Sequence, residues 1–503
     1  VADLFPGKKI DPKGSKKMPS KKQKRFNKRK ILIFSCLSLI LLAIWLISRQ
    51  KTSSNLTQNQ KEQLAADKLK QKEESQQTSQ IAQRLSMGDK ILITADNNPD
   101  KQAAVEKFAA HNFIEAQTKF TDSLERYSND PETLIYYNNS LIVGESEMIT
   151  IGVSVPVGGS LDVAKEILRG VAQAQNEINQ QGGVERDGIK TLVRIQIAND
   201  DNQPEIAQQI AANFVANPQI MGVVGHNSSD VSIAVAPIYQ KGKLVMVSPT
   251  STARKLSQAG SYIFRTTPST RILAEALAEY AVNELNQQKI AICADSASPA
   301  SQSFKDEFSL SLLESGGAIT PTNCDFASPN FNPDEMPAKA IADGSDALML
   351  IPTVDKINQA LDIARANQNR LTLLGNDSMY TYETLKIGQS DIKGIVIPTA
   401  WHPDATVNPT YNQNALQLWG MPGNWRTATA YDATKALIAG LSTAKTRPEL
   451  QQALSNPGFA VQGALGEINF QLSGDRQTQV TLIKVQPGKS SGTGYDFVPV
   501  NSP

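Results

Sequence analysis

From Met148 onward, short β-branched and aliphatic runs alternate with amphipathic stretches of helical period. This alternation constrains the fold more than any other feature of the 503-residue chain. The runs are MITIGVSV, LVRIQIAND, MGVVG, LVMVSP, YIFRTTP, KIAICAD, ITPTNCDF, ALMLIPT, TLLGND and GIVIPTA. Between them lie stretches such as VAKEILRGVAQAQNEINQ, PEIAQQIAANFVA and KINQALDIARAN. Continuous apolar strands separated by helices call for parallel sheets covered on both faces. About ten strands over roughly 250 residues exceed the five or six of a typical sheet, so an α/β body of two lobes is expected.

Open parallel sheets bind ligands outside their carboxyl edges, so the residues there decide the chemistry. In order the edges read VPVGGS, ANDDNQ, GHNSSDVS, SPTSTARK, ADSASPASQS, IPTVDK, GNDSMY and PTAWHP. Hydroxyls and backbone amides dominate. No G-x-G-x-x-G follows a strand, and neither a Walker A motif nor a G-x-S-x-G elbow occurs. Three Cys and three His exclude a disulfide scaffold, a zinc ribbon and an iron–sulfur protein. Asp200 and Asp201 are too few for a metal cage. The pattern is one of recognition, with no enzyme activity, cofactor or metal expected.

The net charge of +1 is a cancellation. Residues 1–30 hold twelve of the 50 Lys/Arg but only Asp3 and Asp11 of the 49 Asp/Glu, so the remainder carries −9 and is not a nucleic-acid binder. Directly after this basic tail, residues 31–48 contain no charge, Pro or Gly. A helix of that length rises roughly 27 Å, close to the bilayer's hydrocarbon thickness. No small-x-small site follows, and Cys36 lies inside the run, so a retained transmembrane helix is expected over cleaved or lipidated leaders. The basic flank keeps the N-terminus cytoplasmic and puts the body outside, in the periplasm where there is one. Residues 49–88 form a polar stalk. Residues 89–146 carry two amphipathic helices and a third opened by Asp130 and Pro131, at a spacing like a tetratricopeptide repeat. So short a module must pack on the main domain or on a partner.

Met148 to about Leu441 resembles the periplasmic leucine/isoleucine/valine-binding proteins, the type I solute receptors of ABC importers. The resemblance rests on GVSVPVGG, GGVERDGIKTLVRIQIANDD, GVVGHNSSDVSIAVAPIYQKGKLVMVSPTSTARKLS, YIFRTTPS, LLGNDSMY and AYDATKALIAGL. It implies two Rossmann-like lobes clamping a small ligand, such as an amino acid or amide, over residues 147–487. Lobe 1 would comprise about 148–268 and 398–462, lobe 2 about 269–397 and 463–487, with a tail at 488–503. Partners would be an ABC permease or, for a sensing ectodomain of the same fold, a signalling protein in the membrane.

Ser228, Ser229 and Asp230 open a helix, where free N–H groups and the dipole can cap the chain or hold a carboxylate. The resemblance makes Ser229 a hydroxyl donor to the ligand carboxylate. It also brings the Thr250 carbonyl and the Thr252 hydroxyl to the ligand, within the run Thr250, Ser251, Thr252. Asp377 either caps a helix or, by the resemblance, pairs with a ligand ammonium. His226 is expected as a hydrogen-bonded residue at the cleft mouth, and His226, Asn227 and Thr353 are counted among the ligand-binding candidates. Where the family commonly has a Tyr, this chain has Pro299 and Ala300, leaving Ser298 and Ser301 as polar options. Cys293 and Cys324 close consecutive strands, near enough for a disulfide or for two buried thiols.

Overall fold

The computed structural model describes residues 79–141 and 148–500, together with Glu62. The expected membrane segment at 31–48 and most of the stalk lie outside the described residues. Among the described residues, no helix is long and apolar enough to cross a membrane.

The first lobe is built on a six-stranded sheet, ordered Leu85–Ser86, Val193–Asn199, Ile149–Val155, Ile220–Val224, Val245–Ser248, Ile263–Arg265. All of its strands run parallel except the first. Every residue of Ile149–Val155 is buried, as expected for a central strand with helices on both faces. Helices Pro204–Ala216 and Ser229–Lys241 cover one face, and Leu161–Gln180 and Trp425–Leu441 the other. The last two approach so closely that a Cβ on Gly170 would stand 2.1 Å from the Thr427 carbonyl oxygen.

The second lobe is an eight-stranded sheet. Its parallel part is Lys289–Ala294, Ala347–Ile351, Thr372–Gly375 and Val396–Thr399, with Ala318–Ile319 and Cys324–Asp325 on the edge beside Lys289–Ala294. Thr481–Pro487 and Tyr495–Pro499 extend it antiparallel at the other end. Cys293 and Cys324 are register partners joined by a disulfide, with their Cα atoms 4.5 Å apart.

Three boundaries differ from the sequence expectation. The chain returns to lobe 2 after Arg476 rather than at 463. The hairpin Val461–Gly463/Gly466–Ile468 buries Ala464 and Ile468 in the first lobe's core, and Arg265 pairs with Asp475 at 2.6 Å. Residues 495–499 are the edge strand of a sheet, not a tail, because Phe497 is buried against Ile483 and Val485. Finally, the last ten residues of the expected stalk are folded onto the body, with Ile81 and Leu85 in its core.

The helical module consists of Pro99–Ala109, Phe113–Arg126 and Pro131–Ser140. Asn98, Asn112 and Asp130 each accept a first-turn N–H and set the helix starts. Phe120 and Tyr136 join one core with Ile151 and Val171 of the first lobe. The module therefore packs on its own chain. Inside it, buried Lys101 lies 2.8 Å from both Asp130 and Glu132, and hydrogen bonds from Thr133, Tyr136 and the Leu92 N–H complete the two carboxylates.

Candidate functional site

Between the carboxyl edges of the two sheets lies a cleft of about 820 Å³. On the lobe 1 side, Ile220–Val224 delivers Asn227 and Ser228 to the wall, and the helix begins at Ser229. The Ser228 hydroxyl accepts the Val231 N–H at 3.3 Å, so Ser228 is the N-cap. The Ser229 hydroxyl accepts the Ala253 N–H at 3.1 Å, which aims its own O–H at a further acceptor. Thr250 and Thr252 also line the wall. Thr250 donates to the Asn227 carbonyl at 2.7 Å. The Thr252 carbonyl is taken by Arg265 and Thr270, leaving the hydroxyl as its polar face toward the cleft.

Two expected site residues on this side lie beneath the wall instead. His226 is fully buried, with Nδ1 2.7 Å from Asp200 and Nε2 3.0 Å from the Tyr239 hydroxyl. Burial pushes the Asp200 carboxyl up, but hydrogen bonds and charge from His226 outweigh it, and its pKa is held below the ordinary value. Ser251 meets the Ser232 hydroxyl at 2.7 Å and reaches the His226 carbonyl. Both residues fix the loop that presents their neighbours. The alternation of side chains along an extended segment puts Thr250 and Thr252 on one side and Ser251 on the other.

From lobe 2, Thr353 and Asp377 follow the strands Ala347–Ile351 and Thr372–Gly375 into the cleft. The buried Thr353 hydroxyl oxygen has no hydrogen-bond partner among the described residues. Asp377 is only 7% exposed, and none of the described residues forms an ion pair with it. It opens the short turn Asp377–Met379 and does not cap a longer helix. Burial raises its pKa to about 6, with the Arg426 charge pulling the other way. Ser298 lines the cleft and caps the helix Pro299–Glu314. Ser301, expected here, turns inward: its hydroxyl donates to the Ile351 carbonyl at 2.6 Å and accepts the Asp295 N–H at 2.8 Å. It is a tie between a helix start and a strand end.

The sequence reading missed the cleft's base. Arg426 lies over the Trp425 ring at 4.5 Å, pairs with Glu166 at 3.2 Å and donates to the Tyr380 carbonyl at 3.1 Å. It therefore links helices of lobe 1 to a turn of lobe 2. At the rim the lobes also touch directly. Ser298 donates to Asp230 at 3.3 Å, and Arg254 meets Glu307 at 3.3 Å. Among the described residues, no group of three or more His, Cys, Asp or Glu could hold a metal ion. Asp201 is engaged by Arg84 at 2.6 Å.

Chemically, the cleft offers hydroxyl and amide donors at a helix start on one wall and an uncompensated carboxylate on the other. That suits a small zwitterion held by both lobes.

Residues 148–491 match the family model described as periplasmic binding protein. The Leu/Ile/Val-binding protein BraC3 of Rhizobium johnstonii is 27% identical over 354 residues, spanning 68% of this chain and 92% of that protein. An ABC transporter substrate-binding protein from Desulfitobacterium hafniense, solved in complex with Leu, superposes with a TM-score of 0.60 at 25% identity. That match covers 70% of this chain and all of the other. A leucine-binding protein from Thermotoga maritima gives a TM-score of 0.61 at 21% identity, over 70% and 98% of the two chains.

Proposed function

The chain belongs to the periplasmic binding protein family, and from that premise we propose that its two lobes close on an amino acid outside the cytoplasm and present it to an ABC importer. The observation that carries this reading is the opposed pair of Ser229 and Asp377. A hydroxyl and a helix start face the cleft from one lobe, and a buried, unpaired carboxylate faces it from the other. A ligand carboxylate meets the first and its ammonium the second, so a single α-amino acid bridges both lobes and selects the closed state. The similarity to a Leu/Ile/Val-binding protein and to a substrate-binding protein solved with Leu supports an amino-acid ligand. In this reading residues 31–48 anchor the receptor in the membrane, with its N-terminus in the cytoplasm.

Calorimetry of the full chain against the standard amino acids tests the proposal. It predicts saturable binding to at least one of them, weakened by Asp377→Asn. No binding to any of them would defeat it.

One observation favours a second reading, that of a sensing ectodomain. The helical module contacts the helix Leu161–Gln180, whose first turns line the cleft, and Lys165 of that helix pairs with Asp96 at 2.8 Å. Hydrogen exchange across Pro131–Ser140 separates the two. A change on ligand addition supports signalling through the module, and an unchanged pattern supports transport alone.

A further inference from the structure

Seven of the eight charged side chains lining the cleft are carboxylates. Three of them are matched: Asp201 by Arg84, Glu166 by Arg426, and Glu383 by Lys386 at 3.8 Å. Asp162, Asp230, Asp355 and Asp377 form no ion pair among the described residues. Arg426, the single cation among the described lining residues, is already spent on Glu166 and the Tyr380 carbonyl, so no lining cation is left for a second anionic group on a ligand.

Two of the unmatched carboxylates come from opposite lobes, Asp377 buried in its wall and Asp230 half-buried where the lobes touch at the rim. Asp377 is the nine-tenths buried group discussed above. Asp230, in the first turn of Ser229–Lys241, keeps one oxygen on the Ser298 hydroxyl, while its Oδ1 is buried with no partner. Burial first, and then the nearby charges of Asp295 and Asp355, push the Asp230 carboxyl above its ordinary pKa, with Ser298 and the Ala300 N–H acting against them. One ammonium can answer one such site. An aliphatic side chain laid against Asp230 would strip water from a carboxylate that has hydrogen bonds but no cation and whose Oδ1 lacks a partner, which costs free energy.

We infer that the ligand carries a second cationic nitrogen, received by Asp230 with Asp355 at the rim, which makes it a basic amino acid rather than a branched-chain one. The inference rests on the amino-acid reading of the cleft. It adds Asp230 as the residue that sets side-chain specificity.

The experiment is calorimetry of the full chain with L-lysine, L-arginine, L-norleucine, L-leucine and cadaverine. Norleucine keeps the length of the lysine chain without the terminal ammonium. L-Lysine or L-arginine should bind at least about tenfold more tightly than norleucine, the scale of a charge-assisted hydrogen bond. Asp230→Asn should bring that ratio below about threefold, and Asp355→Asn, at an exposed position, should lower it less. If norleucine or leucine matches the basic amino acids, or if Asp230→Asn preserves the ratio, the inference is overturned while the amino-acid receptor stands. Cadaverine binding as tightly as lysine would support the second cation and remove the carboxylate seat at Ser229. Failure of all five, together with every other amino acid, would remove both readings.

Discussion

Asp432 and Asp377 are both buried aspartates of the same α/β body, yet their surroundings are opposite. Asp432, in the middle of the helix Trp425–Leu441, is wholly enclosed and receives Arg476 together with the backbone N–H groups of Ala464 and Leu465. Arg476 in turn donates to the carbonyls of Gly466 and Glu467, so the pair fastens the late hairpin onto lobe 1. Asp377 has the burial without the partners. A buried charge matched inside the protein holds structure together, whereas one left unmatched at a cleft awaits something from outside. The two sites therefore separate stability from affinity.

The largest effect should come from Arg476→Ala, which leaves the Asp432 carboxylate buried without its cation. A loss of about 3–5 kcal/mol in denaturant unfolding is expected. An equal cost from Asp377→Asn would erase the distinction. The double replacement of Cys293 and Cys324 by Ser removes a crosslink between residues 31 apart in sequence. On the chain-entropy model this lowers stability by about 3–4 kcal/mol, and it should leave ligand affinity alone, because neither residue lines the cleft. The bond itself is checked by alkylation without reductant, which should leave both cysteines unmodified in mass spectrometry.

Asp377→Asn should do the reverse. It weakens an amine-bearing ligand by about 1.5–3 kcal/mol in calorimetry. It also stabilises the empty protein at pH 7, by up to about 3 kcal/mol in chemical unfolding. The sign follows from a folded-state pKa of about 6, above the ordinary 3.8. Between those values the folded state holds the extra proton, so wild-type stability falls as pH rises through the window and the Asn variant escapes that fall. The smallest effect is on binding. An ammonium needs the carboxylate form, so affinity should be level above about pH 7 and drop about tenfold between pH 7 and pH 5. A flat titration would place the ammonium elsewhere.

Much of this architecture could be read from residue patterns, because strand and helix period are local properties. PEIAQQIAANFVA is the helix Pro204–Ala216, and each of the ten apolar runs contains a strand. The cleft walls at Ser228, Ser229, Thr252 and Asp377 were also legible, as they follow strand ends and match a family pattern. What escaped depends on contacts between distant parts of the chain. Arg426 and Glu166 are 260 residues apart, and nothing local marks them as a pair. His226 looked like a mouth residue because its partner Tyr239 lies one helix away, on the side facing the core. Ser301 looked like a replacement for an aromatic wall, but as a helix-start hydroxyl it had a nearer acceptor in Ile351. Tyr495–Pro499 was missed as a strand because the Gly- and Ser-rich link before it hides the pairing with Thr481–Pro487.

The antiparallel pairing of Leu85–Ser86 with Val193–Asn199 has a consequence for solubility. Val193–Asn199 is the border strand: Gln175 and Asn179 tie Val193, Asn139 ties Ile195, and Leu85–Ser86 covers Ile197 and Ala198, so without the segment before Ile149 the second half of this strand would show open N–H and C=O groups, a template for sticking to another molecule. The opposite border is only three residues long, Ile263–Arg265, and Arg265 there is bridged to Asp475. A shortened form of the protein beginning at the first full strand would keep both lobes and the entire cleft. It would also uncover the second half of that border strand and the Tyr136 face of the core. Such a fragment would bind and clump at once, and a cut placed before Ile81 would not.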